Sequence, residues 1–249
     1  ESKMMEIRIL GAGSGMPDKD LHSSSVLVQS EGKTFLLDCG DGCSYSLTKL
    51  DLDPDALDAV IITHYHPDHV AGVFLLIQML YLAGREKVLP IYLPEREQDF
   101  GDVLKMFYTF SEKFNFELRL KPMTSLTEDY PQMRYALNDH LQGYGEIIAK
   151  HALKNRQCAF SIRINSKAGD FVYSSDISST DSIADFVEGA HTLLLDAGHP
   201  AAEQVWKMAN RGLKRILLTH RPNEQIRQAL AQKPDNQFEE AREGSIYRI

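Results

Sequence analysis

Residues 59–69 read Ala-Val-Ile-Ile-Thr-His-Tyr-His-Pro-Asp-His, and no other stretch of the chain restricts the fold so tightly. Ala59 to Ile62 is a continuous apolar run, which with Thr63 has the length and β-branching of a buried strand. Four side chains able to hold a metal follow within six positions: His64, His66, Asp68 and His69. A loop where a strand gives way to a helix lets such side chains converge. Neutral imidazole and carboxylate are the ligands that zinc, iron and manganese take in hydrolytic sites. One histidine beside a strand would be an ordinary core or surface residue. Three with an aspartate at this spacing point to a metal.

A metal-binding loop needs further ligands, and strand ends select them. His220 ends the apolar strand Ile216-Leu217-Leu218-Thr219 in the same strand–Thr–His arrangement as Thr63-His64. Asp176 follows Val172-Tyr173-Ser174 in a polar Ser-Ser-Asp-Ile-Ser-Ser loop, where a carboxylate could bridge two cations. His151 closes Glu146–Lys150, read here as a strand. Such strand-to-loop exits are where functional residues gather on a sheet scaffold. His140, in Asn138-Asp139-His140-Leu141-Gln142-Gly143, competes with His151 for the third position; the strand reading favours His151. His22 and His191 read as ordinary surface or core histidines.

Composition bounds the rest. A chain of 249 residues buries roughly 70% of its unfolded surface and needs no metal or disulfide merely to fold. The formal charge of −8 leaves room only for a local basic face of the kind that grips nucleic acid. Three cysteines, Cys39, Cys43 and Cys158, argue against a disulfide framework and for reduced thiols in a cytoplasm. Cys39 and Cys43, without a second pair, read as small buried residues. Charges at Glu1, Lys3, Glu6 and Arg8 are unlike an apolar leader. The apolar run Val70 to Gly84 falls short of the roughly 20 residues a bilayer span needs and reads as a buried helix over Val70–Leu82.

Strands are expected at Met5–Leu10, Ser24–Gln29, Thr34–Asp38, Val88–Leu93, Phe116–Leu120, Cys158–Asn165, Phe171–Ser174, Thr192–Leu195, Arg215–Leu218 and Ser245–Arg248. Helices are expected at Cys43–Leu50, Ile183–Glu188, Ala201–Arg211 and Glu224–Gln232. The spacing of Val103, Met106, Phe107, Phe110 and Phe114 predicts a core-facing helix over Asp102–Phe114; part of that aromatic stripe could instead form a dimer contact, so a homodimer is allowed. Trp206 reads as packing. Strands in two groups with interspersed helices suggest two mixed sheets with helices outside.

Asp38 in Leu37-Asp38-Cys39-Gly40-Asp41-Gly42, the His-x-His-x-Asp-His loop, His151, Asp176 and His220 together resemble, in order and spacing, the five motifs of the metallo-β-lactamase superfamily. The likeness runs over almost the whole chain. It implies an α/β fold, a four-layer αββα sandwich of two mixed β-sheets flanked by helices, as a single domain over residues 1–249. It also implies two divalent cations, zinc first, with manganese or iron chemically acceptable. By the resemblance His64, His66 and His151 would hold one, and Asp68, His69 and His220 the other, with Asp176 between them. Asp38 would orient a ligand or the backbone of the metal loop.

Gly11-Ala12-Gly13-Ser14-Gly15-Met16-Pro17, then Ser23-Ser24-Ser25 and Asp38–Gly42, resemble the ribonuclease Z branch and its small phosphodiesterase relatives. The glycine-rich turn lacks the third glycine at the right offset and the following helix of a dinucleotide fingerprint. Three departures matter. Leu195 stands where ribonuclease Z has the histidine of His-Glu-Ala-Thr, although Asp196 keeps the carboxylate. Thr219-His220-Arg221-Pro222 lacks the nuclease's serine, and no long Gly/Pro-rich arm is recognisable. With the acidic charge these argue against tRNA processing and for a small anionic phosphodiester, hydrolysed by water activated between the cations. Asp68 would serve as ligand and proton acceptor, His199 as proton donor or anion binder, and Arg221 as a phosphate partner. The alternatives are a carboxylic ester, lactone or thioester hydrolase, or a non-hydrolytic member serving cofactor biosynthesis, similar to the pyrroloquinoline-quinone pathway member. The expected setting is cytoplasmic, with no membrane partner.

Overall fold

The computed structural model describes residues 4–232 and 237–249; residues 1–3, part of the charged N-terminal segment, lie outside them. By their internal contacts the described residues divide into two compact units, residues 4–125 with 243–248, and residues 126–242 with 249.

The first unit is built on a seven-stranded mixed sheet. Its strands are β1 (Glu6–Gly11), β2 (Ser25–Ser30), β3 (Lys33–Leu37), β4 (Ala59–Ile61), β5 (Leu89–Leu93), β6 (Leu118–Pro122) and, from the C-terminus, β13 (Ile246–Arg248). The order is β13-β1-β2-β3-β4-β5-β6. β2 and β3 form a hairpin that turns at Glu31 and Gly32, both left-handed. From β3 onward the pairing is parallel, so successive strands deliver their C-termini to one edge of the sheet. The helix Gly72–Leu82 buries Val73, Leu76, Ile77 and Leu80, spaced as one helical face, in a core with Leu36, Val60 and Ile91.

The second unit carries a six-stranded mixed sheet of β7 (Met133–Leu137), β8 (Phe160–Ile164), β9 (Phe171–Tyr173), β10 (Thr192–Asp196), β11 (Arg215–Thr219) and β12 (Phe238–Glu240), ordered β12-β11-β10-β9-β8-β7. Its β9 to β12 run parallel. Leu193, Leu195, Ile216 and Leu218 pack with Val205, Ile226 and Phe238 in its core. Trp206 stacks edge-on against Phe238 at 5.0 Å. Among the described residues no helix is long and apolar enough to cross a membrane.

Three expectations change. The single helix over 70–82 is two, Pro67–Val70 and Gly72–Leu82, so the first helical turn already contains Asp68 and His69. Pro67 at the first helical position suits that start, having no N–H to leave unbonded. The helix expected over 102–114 is Glu97–Met106. It stops where Tyr108 adopts a left-handed φ of 59°, which throws Met106 and Phe107 to the surface and leaves Val103, Phe110 and Phe114 half-buried. Phe107 still stacks on Phe74 at 4.9 Å. Finally, Glu146–Lys150 is no strand: Gly145–Lys150 is a short helix, and the edge position belongs to β7, which pairs with β8.

Arg85 is the largest fully buried side chain. It ties the Pro54–Val88 region together by donating to the carbonyls of Pro54, Leu57 and Val88. Its replacement by alanine strands those carbonyls and is expected to cost about 3 kcal/mol, measured as a lower urea midpoint. Nearby, burial alone would raise the pKa of Asp58. The Thr34 N–H and the ammonium groups of Lys33 and Lys87 outweigh it and hold the carboxyl below its ordinary value. A depressed folded pKa contributes stability above the unfolded value and loses it as the pH falls. Asp58→Asn is therefore expected to lower stability at pH 7, with the deficit disappearing below about pH 4 in pH-resolved denaturation curves.

Candidate functional site

In the first unit the site begins where parallel β3 and β4 end side by side, Leu37 opposite Ile61. Asp38 follows β3 in a left-handed conformation, φ 57°, and is wholly buried. Its Oδ1 accepts from the Thr63 N–H at 2.8 Å and its Oδ2 from the Thr63 hydroxyl at 2.9 Å. Oδ2 also faces His69 Nδ1 at 2.7 Å. A proton on Nδ1, facing the carboxylate, leaves the Nε2 lone pair of His69 for a metal. The Thr63 hydroxyl, having donated to Asp38, is an acceptor for His64 Nδ1 at 3.2 Å, which fixes that ring the same way.

The rings of His64 and His66 stand 4.8 Å apart and those of His64 and His69 4.1 Å. His64 and His66 offer ligand atoms within 4.8 Å of each other, as do Asp68 and His69. Tyr65 anchors the loop from outside, stacking on Phe100 at 5.8 Å and donating its hydroxyl to the Glu95 carbonyl at 2.7 Å. Gly40 explains the Asp-Cys-Gly-Asp-Gly signature. A Cβ there would lie 2.1 Å from the Asp68 carbonyl oxygen, so only glycine lets the two loops close. Cys39 N–H donates to the His69 carbonyl and Gly72 N–H to that of Cys39, completing the clamp. Burial pushes the Cys39 thiol up, so it stays protonated. His22 is bonded to Glu243 through Nδ1.

In the second unit the donors sit at the ends of β9, β10 and β11. Asp176, 2% exposed, lies 3.6 Å by its Oδ2 from His140 Nε2 and 3.3 Å by its Oδ1 from His220 Nδ1. His199 lies between the rings of His140 and His220, edge-on to the first at 4.8 Å and stacked on the second at 4.9 Å. Asp196, at the end of β10, accepts four N–H groups: Ile177 N and His199 Nδ1 on Oδ2, Gly198 N and His199 N on Oδ1. Asp176, Asp196 and His199 place ligand atoms within 4.8 Å of one another, but the oxygens of Asp196 are already engaged. Its work is to orient His199. Gly198 is required there, since a Cβ would lie 2.5 Å from the His220 carbonyl oxygen.

The predicted residues thus gather within their own units: Asp38, His64, His66, Asp68 and His69 in one, Asp176, His199 and His220 in the other. His151 does not join them. It caps the helix Gly145–Lys150 and is exposed, because the segment read as a strand is helical. His140, the competing residue, stands beside Asp176 instead. Arg221 follows His220 on the surface, both in left-handed conformations. Asp196 entered the sequence reading only as a retained carboxylate; the short Asp-x-x-His interval is the signal that ties it to His199. His191, expected to be ordinary, meets Thr192 Oγ1 at 2.9 Å, and burial lowers its pKa.

Both sets consist of imidazoles and carboxylates at the C-terminal ends of parallel strands, where open sheets bind their ligands, except that His140 follows the antiparallel edge strand β7. The metallo-β-lactamase fold protein YhfI from Bacillus subtilis has the same architecture, with a TM-score of 0.73, 22% identity and full coverage of both chains. The expectation of two mixed sheets flanked by helices in that fold is borne out. Residues 5–228 match the family described as Anti-Pycsar protein Apyc1, and the chain belongs to that family. It is also similar to ribonuclease Z of Methanothermobacter thermautotrophicus, 25% identical over 87% of this chain and 86% of that protein. Ribonuclease Z of Methanococcus aeolicus is 31% identical over 58% of this chain, which spans less than half, 46%, of that relative. The expected kinship with ribonuclease Z and the expectation of a hydrolytic enzyme stand with these relatives.

Asp38→Asn keeps the left-handed turn, which asparagine tolerates, but presents an amide where His69 Nδ1 and the Thr63 hydroxyl need an acceptor. Zinc affinity, measured by competition with a chromophoric chelator, is expected to fall about 10–100-fold.

Proposed function

We propose that the chain is a metal-dependent phosphodiester hydrolase working as one domain over residues 1–249, using two divalent cations, zinc first. In one unit His64, His66, Asp68 and His69 would be metal ligands; in the other they would be His140, Asp176 and His220, with His140 in the role that the strand reading assigned to His151. What carries the reading is the treatment of the imidazoles. His69 is turned by a buried carboxylate, Asp38, so that Nε2 points away from it and toward Asp68 as a ligand, and His64 is set in the same sense by Thr63.

Cations bound there would lower the pKa of water and polarise a phosphoryl oxygen. The protein's own groups do the remainder. Asp68, 10% exposed at the start of a helical turn, is both ligand and proton acceptor. His199, 41% exposed and held by Asp196 through Nδ1, presents Nε2 for proton transfer to the leaving oxygen. Arg221 offers a planar donor fork for a phosphate.

A small anionic phosphodiester remains the first substrate class, given the charge of −8. The relatives named ribonuclease Z lean against the expectation that tRNA is an unlikely, though not excluded, substrate, so an RNA phosphodiester is the second class. A carboxylic ester, lactone or thioester would use the same groups. Alanine at both His64 and Asp68 is expected to reduce turnover of bis-p-nitrophenyl phosphate by at least about 10³-fold, the equivalent of several kcal/mol of lost charge stabilisation. Chelation should do the same reversibly. Unchanged turnover in the double variant overturns the reading. A plate of p-nitrophenyl esters, lactones and thioesters that outpaces every phosphodiester moves it to the other hydrolase class.

A further inference from the structure

The loop that carries Asp176 has no regular structure between Ser174 and Ser179, and Ser175 within it takes a left-handed φ of 53°. Such a segment holds a carboxylate in one place only if its backbone is tied down from outside. On one side Asp196 does this by accepting from the Ile177 N–H at 3.0 Å. On the other side the tie comes from the residues just before His140. Asp139 Oδ1 accepts from the N–H groups of Ser178 at 2.8 Å and Ser179 at 3.3 Å. The Ser178 hydroxyl donates back to the Asp139 carbonyl at 3.4 Å.

Asn138 secures the near end of the same loop. It is buried, 3% exposed. Its Nδ2 donates to the Ser174 carbonyl at 3.4 Å and to Ser161 Oγ at 3.2 Å, and its Oδ1 accepts from the His140 N–H at 3.1 Å. Residues 138–140 are therefore stitched to both ends of the loop 174–179, with His140 and Asp176 facing each other between the stitches at 3.6 Å.

We propose that Asp139 is a positioning residue: by gripping the Ser178 and Ser179 amides it fixes the separation of His140 and Asp176, two of the groups assigned above to the metal centre. The inference rests on that assignment. Asp139 itself is no ligand, since the oxygen it turns toward the loop is taken by two N–H groups. The physical requirement is one acceptor at Oδ1, not a negative charge. Removing it takes away the acceptor for the Ser178 and Ser179 amides and leaves that end of the loop to the Ile177–Asp196 bond and to the side-chain bonds of Ser178 and Ser179, and the order lost there must be recovered when a cation binds. Support of this kind typically accounts for about 10–100-fold in metal affinity. Asp139 lies near the surface beside an exposed Ser178, so its loss should leave folding intact.

The test compares wild type, Asp139→Ala, Asp139→Asn and, as a control for loss of a carboxylate just beyond the loop, Asp181→Ala in the helical turn Thr180–Ile183. Zinc affinity is read by competition with a chromophoric chelator, and unfolding temperature is taken on the metal-free proteins. Asp139→Ala is expected to bind zinc about 10–100-fold more weakly. Asp139→Asn, which still accepts the amides, should lie within about fivefold of wild type. Asp181→Ala and all metal-free unfolding temperatures should be unchanged. Wild-type zinc affinity in Asp139→Ala, or equal losses in the alanine and asparagine variants, overturns the proposal. So does a zinc deficit matched by a collapse in metal-free stability. If wild type binds no zinc, manganese or iron, it is the metal-centre reading that fails.

Discussion

A buried carboxylate that accepts a backbone N–H and an imidazole N–H at once is the interaction on which the donor set of each unit depends. Asp38 and Asp196 are the two instances. Both follow or end a strand whose neighbour runs parallel, so the amides they need arrive from the adjacent chain exit. An isolated carboxylate at such depth would be protonated or expelled. Several hydrogen bonds offset that cost and in the same stroke fix which ring nitrogen of the histidine faces outward. Sheet topology and histidine chemistry are thus joined by one side chain in each unit.

The parts of this arrangement that were legible in the sequence are those in which chemistry and period coincide. The apolar run 59–62 ends on a cluster of donors, and the strand–Thr–His pattern at 219–220 repeats it. Asp176 stands alone in a serine-rich exit. Each strand was short, apolar and bounded, so its end could be placed. His151 was misread because Glu-Ile-Ile-Ala-Lys has the β-branched residues of a strand and yet sits in six residues of helix; a short segment carries too few periods to decide. The strand that replaces it, Met-Arg-Tyr-Ala-Leu, shows weak alternation at a sheet edge and gives little signal. The aromatic stretch failed for another reason. Its helical spacing is real, but a left-handed residue at Tyr108 ends the helix within the stripe, and no pattern of side chains announces that.

Orientation of the donors was not legible at all. Nothing in the order of residues says that Asp139 reaches Ser178 and Ser179, or that Asn138 meets the Ser174 carbonyl, since these contacts join segments nearly 40 positions apart. The family match and the ribonuclease Z relatives fix kinship, whereas the pocket-level chemistry comes from such contacts. That division explains why the acidic charge and missing arm could argue against tRNA while the named relatives lean the other way. Kinship records the ancestry of the scaffold, and the substrate is set by a few side chains around it.

Backbone conformation adds an independent argument for where function lies. Asp38, Ser175, His220 and Arg221 are left-handed though none is glycine, at a cost of roughly 1–2 kcal/mol each. All four sit at exits of parallel strands, beside or among the donors. A glycine at position 38 would relieve the strain but remove the carboxylate that turns His69, and at 220 it would remove the imidazole itself. Strain of this kind persists where the side chain is needed in a direction that relaxed backbone does not provide. Left-handed residues elsewhere, such as Glu31 in the β2–β3 turn and Tyr108 after its helix, merely reverse the chain. At the strand exits the same conformation aims a functional group, which is why those residues keep it without being glycine.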